Sequence, residues 1–223
     1  MAVTSGAGTS ARQAIATVEL QVPLPGPLSV DPARTLLVLV DLENEFCHPD
    51  GAIYLGPPAE QAVLQAAALV DRARREGWRV LWIRSVRSAD AVEFVAFDRA
   101  PHLVEDTWAV EYREPLAVVP GETVIPKRCH DCFAGTGLDD WLAAEGILGP
   151  DWTVLVAGVA LDVCVNHAVL GFSVRDYRVG VVLDCTAPNE GPEAAATLSR
   201  YGRRAYEYNV AVTRSDLVDS GVA

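Results

Sequence analysis

The chain has 223 residues, half of them apolar, which is enough for one sizeable core and a single globular domain. A net charge of −12 offers no basic face to track phosphates, so nucleic acid is excluded as an expected partner. No apolar run approaches the ~20 residues that span a bilayer, and MAVTSGAGTSARQAIATVEL lacks a basic start followed by an apolar block, so neither a membrane anchor nor a secretory signal is read.

Residues 1–33, rich in small residues and proline, read as an extended arm, and 34–223 as the domain. TLLVLV (35–40) is a continuous apolar run, as in a strand covered on both faces. The stretch 59–77 is helical, with Val63, Ala66, Val70 and Ala73 as its stripe and Gly77 as its stop. WRVLWIR (78–84) is the second strand, residues 85–120 are irregular, and ETVIPK (122–127) is the third strand, ended by Pro126. TGLDDWLAAEG (136–146) is a helix with Thr136 and Asp139 at capping-box spacing. WTVLVAGVA (152–160) is the fourth strand, 163–174 a helix, and YRVGVVLD (177–184) the fifth strand. A helix near 191–202 and a strand over RAYEYN (204–209) complete the series. Strands alternating with helices predict a three-layer α/β/α sandwich around a mainly parallel, Rossmann-like sheet of about six strands.

Open α/β sheets bind ligands beyond the carboxyl ends of their strands. Three reactive residues fall there: Asp41 after TLLVLV, Lys127 after TVIP, and Cys164 in GVALDVCVNH (158–167), where the fourth strand turns into a helix. A free thiol has a pKa of about 8.5, and a helix N-terminus with a nearby ammonium lowers it, so Cys164 is expected to be a nucleophile of depressed pKa. Asp41 is suited to take the thiol proton and return it to a leaving nitrogen, with Lys127 supporting both. The competing reading of Cys164 is an inert buried thiol. Three residue types meeting at three strand ends favour chemistry.

VDLENEF (40–46), IPKRCHDCFAGTGLDDWL (125–142) and VAGVALDVCVNHAVLGFSV (156–174) resemble the three signature blocks of the isochorismatase-like cysteine hydrolases. That superfamily includes nicotinamidases, isochorismatases, and N-carbamoylsarcosine and ureidoacrylate amidohydrolases. The resemblance implies an Asp41–Lys127–Cys164 triad, a cis peptide at Val159–Ala160, and an oxyanion hole from the N–H groups of Ala160 and Cys164. It also implies self-association as a dimer or tetramer. Leu161 stands where the family usually has threonine or a similar polar residue, which implies a more apolar substrate contact. Metal-containing nicotinamidases carry Asp-x-His and a further histidine after the first block. Here His48 and Asp50 stand in the reverse order, so no metal and no other cofactor is expected.

Other candidates are weaker. Phe46, Trp108 and Phe133 could wall a pocket, with Phe46 and Trp108 favoured because they lie in loops near the sheet edge. His167 shares a helical stripe with Val163, Leu170 and Val174 and reads as a packed histidine. Arg84 and Arg87 suit a substrate carboxylate but read first as surface charge. Cys129 and Cys132 have C-x-x-C spacing without a second ligand pair, and the CHDC residues (129–132) read instead as lining of the pocket beside Lys127. The odd count of five cysteines fits reduced thiols in a cytoplasm. The expected function is cleavage of the C–N bond of a small amide or ureido compound through a thioester on Cys164. The alternatives are a vinyl-ether hydrolase with Asp41 as acid, and a non-catalytic binding protein.

Overall fold

The computed structural model describes residues 22–97, 99–189, 192–201 and 209–221. In chain order its first elements are β1 (Leu28–Ser29), β2 (Thr35–Val40), α1 (Asn44–Cys47), α2 (Pro57–Glu76), β3 (Arg79–Ser85), α3 (Val92–Val95) and β4 (Thr123–Lys127). Then follow α4 (Leu138–Ala144), β5 (Thr153–Val159), α5 (Asn166–Ser173), β6 (Arg178–Ala187), α6 (Glu193–Tyr201), β7 (Val210–Thr213) and β8 (Val218–Asp219).

Six strands form one sheet in the order β4-β3-β2-β5-β6-β7, and every neighbouring pair is parallel. Counted from β2, this is the doubly wound order 3-2-1-4-5-6. The chain builds outward from β2 through β3 to β4, then crosses back to β5 on the other flank. A crevice therefore opens between the carboxyl ends of β2 and β5.

The apolar runs divide by parity, as strands covered on both faces must. Leu36, Val38 and Val40 of β2 join a core with Leu142 of α4, Phe172 of α5 and Leu198 of α6. Leu37 and Leu39 face the opposite core, with Val63, Ala66 and Val70 of α2. These two cores define the three layers. Gly77 ends α2 at φ 77°, its N–H donating to the carbonyls of Ala73 and Arg74. Gly158 has φ 129°, and a Cβ there would lie 2.0 Å from the Val40 oxygen. Only glycine lets β5 approach β2 this closely at the crevice.

Several details depart from the sequence reading. β4 runs through Pro126 to Lys127, because an edge strand can turn a proline nitrogen away from its neighbour. Thr136 does not form a capping box with Asp139: its Oγ1 accepts from Leu138 N (3.3 Å), and Asp139 pairs with Arg175. Residues 204–208 of the strand placed at RAYEYN lie outside the described residues, and the sixth strand of the sheet is Val210–Thr213. The stripe drawn through Val163, His167, Leu170 and Val174 is not the buried face of α5. His167 is exposed, and the helix buries Ala168, Val169 and Phe172 instead. Of the segment read as an arm, the described part is tied down: β1 pairs with β8, and Gly26 N–H donates to Val212 O at 3.0 Å.

Candidate active site

Asp41 is the first residue past β2. It is fully buried in the left-handed region (φ 52°), which aspartate tolerates better than most residues. Its N–H donates to Ile83 O at 3.1 Å. Lys127 ends β4, two strands away, in register with Ser85 at the end of β3. Its ammonium lies 2.7 Å from Asp41 Oδ2 and donates to Ser85 Oγ (2.8 Å), Cys129 O (3.1 Å) and Cys164 Sγ (3.4 Å). Cys164 sits in a π-helical turn, Leu161–Val165, between β5 and α5. Such turns recur at functional sites. The Ala160 carbonyl accepts from Val163 N–H and Val165 N–H (3.0 and 3.2 Å), fixing the turn to the end of β5. The Val159–Ala160 peptide is cis.

The charges are arranged tightly. Burial lowers the Lys127 pKa, but the contacts that oppose it, led by the charge of Asp41, outweigh it and hold the ammonium above its ordinary range. The Cys164 thiol moves opposite to the sequence expectation. Burial raises its pKa first and Asp41 adds to this, while Lys127 opposes both without reversing them. Burial and Asp41 thus favour the thiol over the thiolate, so attack by this sulfur calls for a base. Glu43, also fully buried, is raised well above the usual carboxylate range by burial and then by Asp41. Its Oε1 accepts from Ser85 N–H at 2.6 Å.

A cavity of about 360 Å³ opens onto Cys164. Phe46, Ile53, Leu55 and Val163 give it apolar walls, and Ala160 lies beside the sulfur. Trp108 is off the cavity: it is half-exposed and meets His48 edge-on at 4.9 Å. Leu161 is buried in the core with α5, and Phe133 packs on Phe172 at 4.9 Å; neither lines the cavity. An aromatic or apolar residue satisfies its chemistry equally well by packing elsewhere, as Leu161 and Phe133 do, while Trp108 stays largely at the surface. Arg87 does line the cavity but pairs with Glu93 at 2.7 Å.

Two polar residues join Cys164 at the cavity. His130, inside the CHDC stretch expected to line the pocket beside Lys127, brings Nδ1 to 3.5 Å from Cys164 Sγ. The imidazole near the sulfur is therefore His130, whereas His167 Nδ1 bonds the Val163 carbonyl of its own turn at 2.7 Å. Asn189, past β6, is held by Asp162, whose carboxylate accepts from its N–H (2.9 Å) and its side-chain amide (3.3 Å). The only usable signal was position, since both follow strand ends. Cys129 is exposed, while Cys132 is buried and pushed up to about 12, chiefly by burial. Among the described residues no group of three or more His, Cys, Asp or Glu side chains could hold a metal ion. No helix among them is long and apolar enough to cross a membrane.

The Isochorismatase domain family matches residues 35–212, a span that includes all three strand-end residues. Ureidoacrylate amidohydrolase RutB of Methylorubrum extorquens is 29% identical over 197 residues, covering 76% of this chain and 76% of that protein. N-carbamoylsarcosine amidase from Thermoplasma acidophilum is 31% identical, with a TM-score of 0.68 over 82% of this chain and 97% of its own. Nicotinamidase PncA from Bacillus subtilis shares the fold, with a TM-score of 0.71 at 20% identity over 81% of this chain and 99% of that one.

Proposed function

Because the chain belongs to the Isochorismatase domain family, we propose that it is an amidohydrolase in which Cys164 attacks the carbonyl carbon of a small amide or ureido compound. One observation carries this reading: a single buried ammonium, Lys127 Nζ, touches both the Asp41 carboxylate (2.7 Å) and the sulfur of Cys164 (3.4 Å), and Cys164 lines a cavity.

The chemistry follows from the charges. Asp41 takes the thiol proton as the sulfur attacks, which answers the raised pKa of the resting thiol. Lys127 stays protonated, keeps Asp41 oriented and stabilises the thiolate as it forms. We assign the N–H groups of Ala160 and Cys164 to hold the developing oxyanion, where a single donor typically contributes ~2.7–4 kcal/mol. Asp41 returns its proton to the leaving nitrogen, the C–N bond breaks, and a thioester remains on Cys164 for water to hydrolyse. The small cavity, with apolar walls and few polar groups, suits a compact substrate. Ureidoacrylate and N-carbamoylsarcosine, from the relatives' names, are compounds of that class.

The test is ammonia release from a panel of small amides and ureides by the wild type and by Cys164→Ala. Wild-type turnover of at least one compound, lost in a variant with an unchanged circular dichroism spectrum, is the expected result. Undiminished turnover in the variant would remove the thiol from the reaction and favour acid chemistry at Asp41.

A further inference from the structure

His130 has no place in the mechanism above, yet its Nδ1 is 3.5 Å from the reacting sulfur. It approaches from a different side than Asp41 does. Asp41 is fully buried and absent from the cavity lining, whereas His130 is solvent-exposed and lines the cavity beside Cys164. The sulfur thus has two proton acceptors near it, one in the interior and one at the cavity.

The surroundings keep His130 a base. Burial of part of the ring and the positive charge of Lys127 disfavour the imidazolium, as do His167, whose ring lies 5.7 Å away, and Arg87; Asp41 pulls the other way without prevailing. In the resting enzyme the thiol, 3.5 Å away, can donate to Nδ1. Once the sulfur carries an acyl group it has no proton to offer. The nearest donor is then cavity water, and the carbonyl carbon that water must attack is one bond from Sγ. A base within hydrogen-bond reach of the sulfur is within one water of that carbon.

We propose that His130 is the general base of the second half-reaction, dividing the proton work with Asp41. This rests on the reading of Cys164 as nucleophile. Water attacks the thioester carbon as its proton passes to the imidazole. The tetrahedral adduct collapses with cleavage of the C–S bond, releasing the carboxylic acid. The imidazolium proton then returns to the sulfur, regenerating thiol and neutral histidine, so no other reagent is consumed.

The probe is 4-nitrophenyl acetate, which acylates a thiol and reports each acylation as nitrophenolate, whatever the natural substrate. In stopped flow, His130→Ala should acylate at a rate within about threefold of the wild type. Its steady-state release should fall on the order of 10²-fold, the usual contribution of a general base. Where wild-type deacylation is already fast, a burst of one equivalent appears only in the variant. Added imidazole should restore part of the steady-state rate, which a purely structural loss would not allow, and His130→Gln should show the same split without rescue. Equal loss in both phases, or an unchanged steady state, overturns the role of His130. Acylation that survives in Cys164→Ala instead sinks the nucleophile assignment itself.

Discussion

The strand β4 has an ion pair at each end, and the two are built differently. Before its first residue, Glu122 accepts four hydrogen bonds: two from Arg74 (2.8 and 3.0 Å), one from Trp82 Nε1 (2.7 Å) and one from Val119 N–H (3.2 Å). Burial raises its pKa, but these donors outweigh burial and hold it low. At the last residue, Lys127 joins Asp41 in the deeper interior, both side chains 1% exposed. There the partners are crowded instead of matched. Glu43 is pressed towards its neutral form, its Oε2 has no hydrogen-bond partner among the described residues, and a thiol is held against its natural ionisation. A buried charge with every lone pair satisfied is a brace. A cluster of acids, an ammonium and a thiol that cannot all be satisfied at once is poised to move protons.

Breaking the pair at the carboxyl end should have the largest effect. Lys127→Met leaves Asp41 buried without its cation, which typically costs 3–5 kcal/mol and, for a chain of this size, lowers the Tm on the order of 10 °C. Turnover should fall on the order of 10³-fold. A thermal melt beside an ammonia assay checks both, and near-normal activity would contradict the placement of Lys127 in the reaction.

Breaking the pair at the other end should separate stability from chemistry. Glu122→Gln removes a charge-assisted partner of Arg74 and is expected to cost about 1–3 kcal/mol, leaving turnover within about twofold. The folded pKa of Glu122 is depressed, so its stabilisation is present above the ordinary 4.5 and is lost as pH falls through the lower folded value. The variant's deficit should therefore shrink in acid, as urea midpoints across a pH series will show.

The smallest change sharpens the contrast by sign. The pKa of Glu43 is raised, so its contribution is fully present below 4.5 and lost as pH climbs through the folded value. Glu43→Gln keeps the shape and removes the charge. It should match the wild type in acid and exceed it in stability with rising pH, by on the order of 1 kcal/mol, with turnover largely kept. A variant less stable at neutral pH would mean that the ionised carboxylate is needed.

How much of this was legible in the sequence follows from which forces act locally. The strands were readable because β2, β3 and β5 are apolar runs that bury both faces, and parallel order follows from the alternation with helices. Asp41, Lys127 and Cys164 were readable because strand ends converge on one edge of the sheet. The state of the thiol was not. The local cues, a helix start and a lysine, point down, while the burial and the Asp41 charge that reverse them come from residues 123 positions away. Glu43 reads as a surface acid in any one-dimensional account, and only the Ser85 N–H and the covering layer reveal it as interior. His130 was legible only as part of the CHDC stretch beside Lys127, and Asn189 reaches the cavity through loop geometry, which no periodicity encodes. Trp108 erred for the same reason, in the other direction.

The most direct measurement is the mass of the enzyme caught at work. Acid-quenched samples taken during turnover of a substrate found in the amide and ureide panel, digested and sequenced by mass spectrometry, should carry the substrate's acyl group on Cys164 and on none of the other four cysteines. Product formation with Cys164 unmodified at every time point, including in His130→Ala where the thioester should accumulate, would contradict the account.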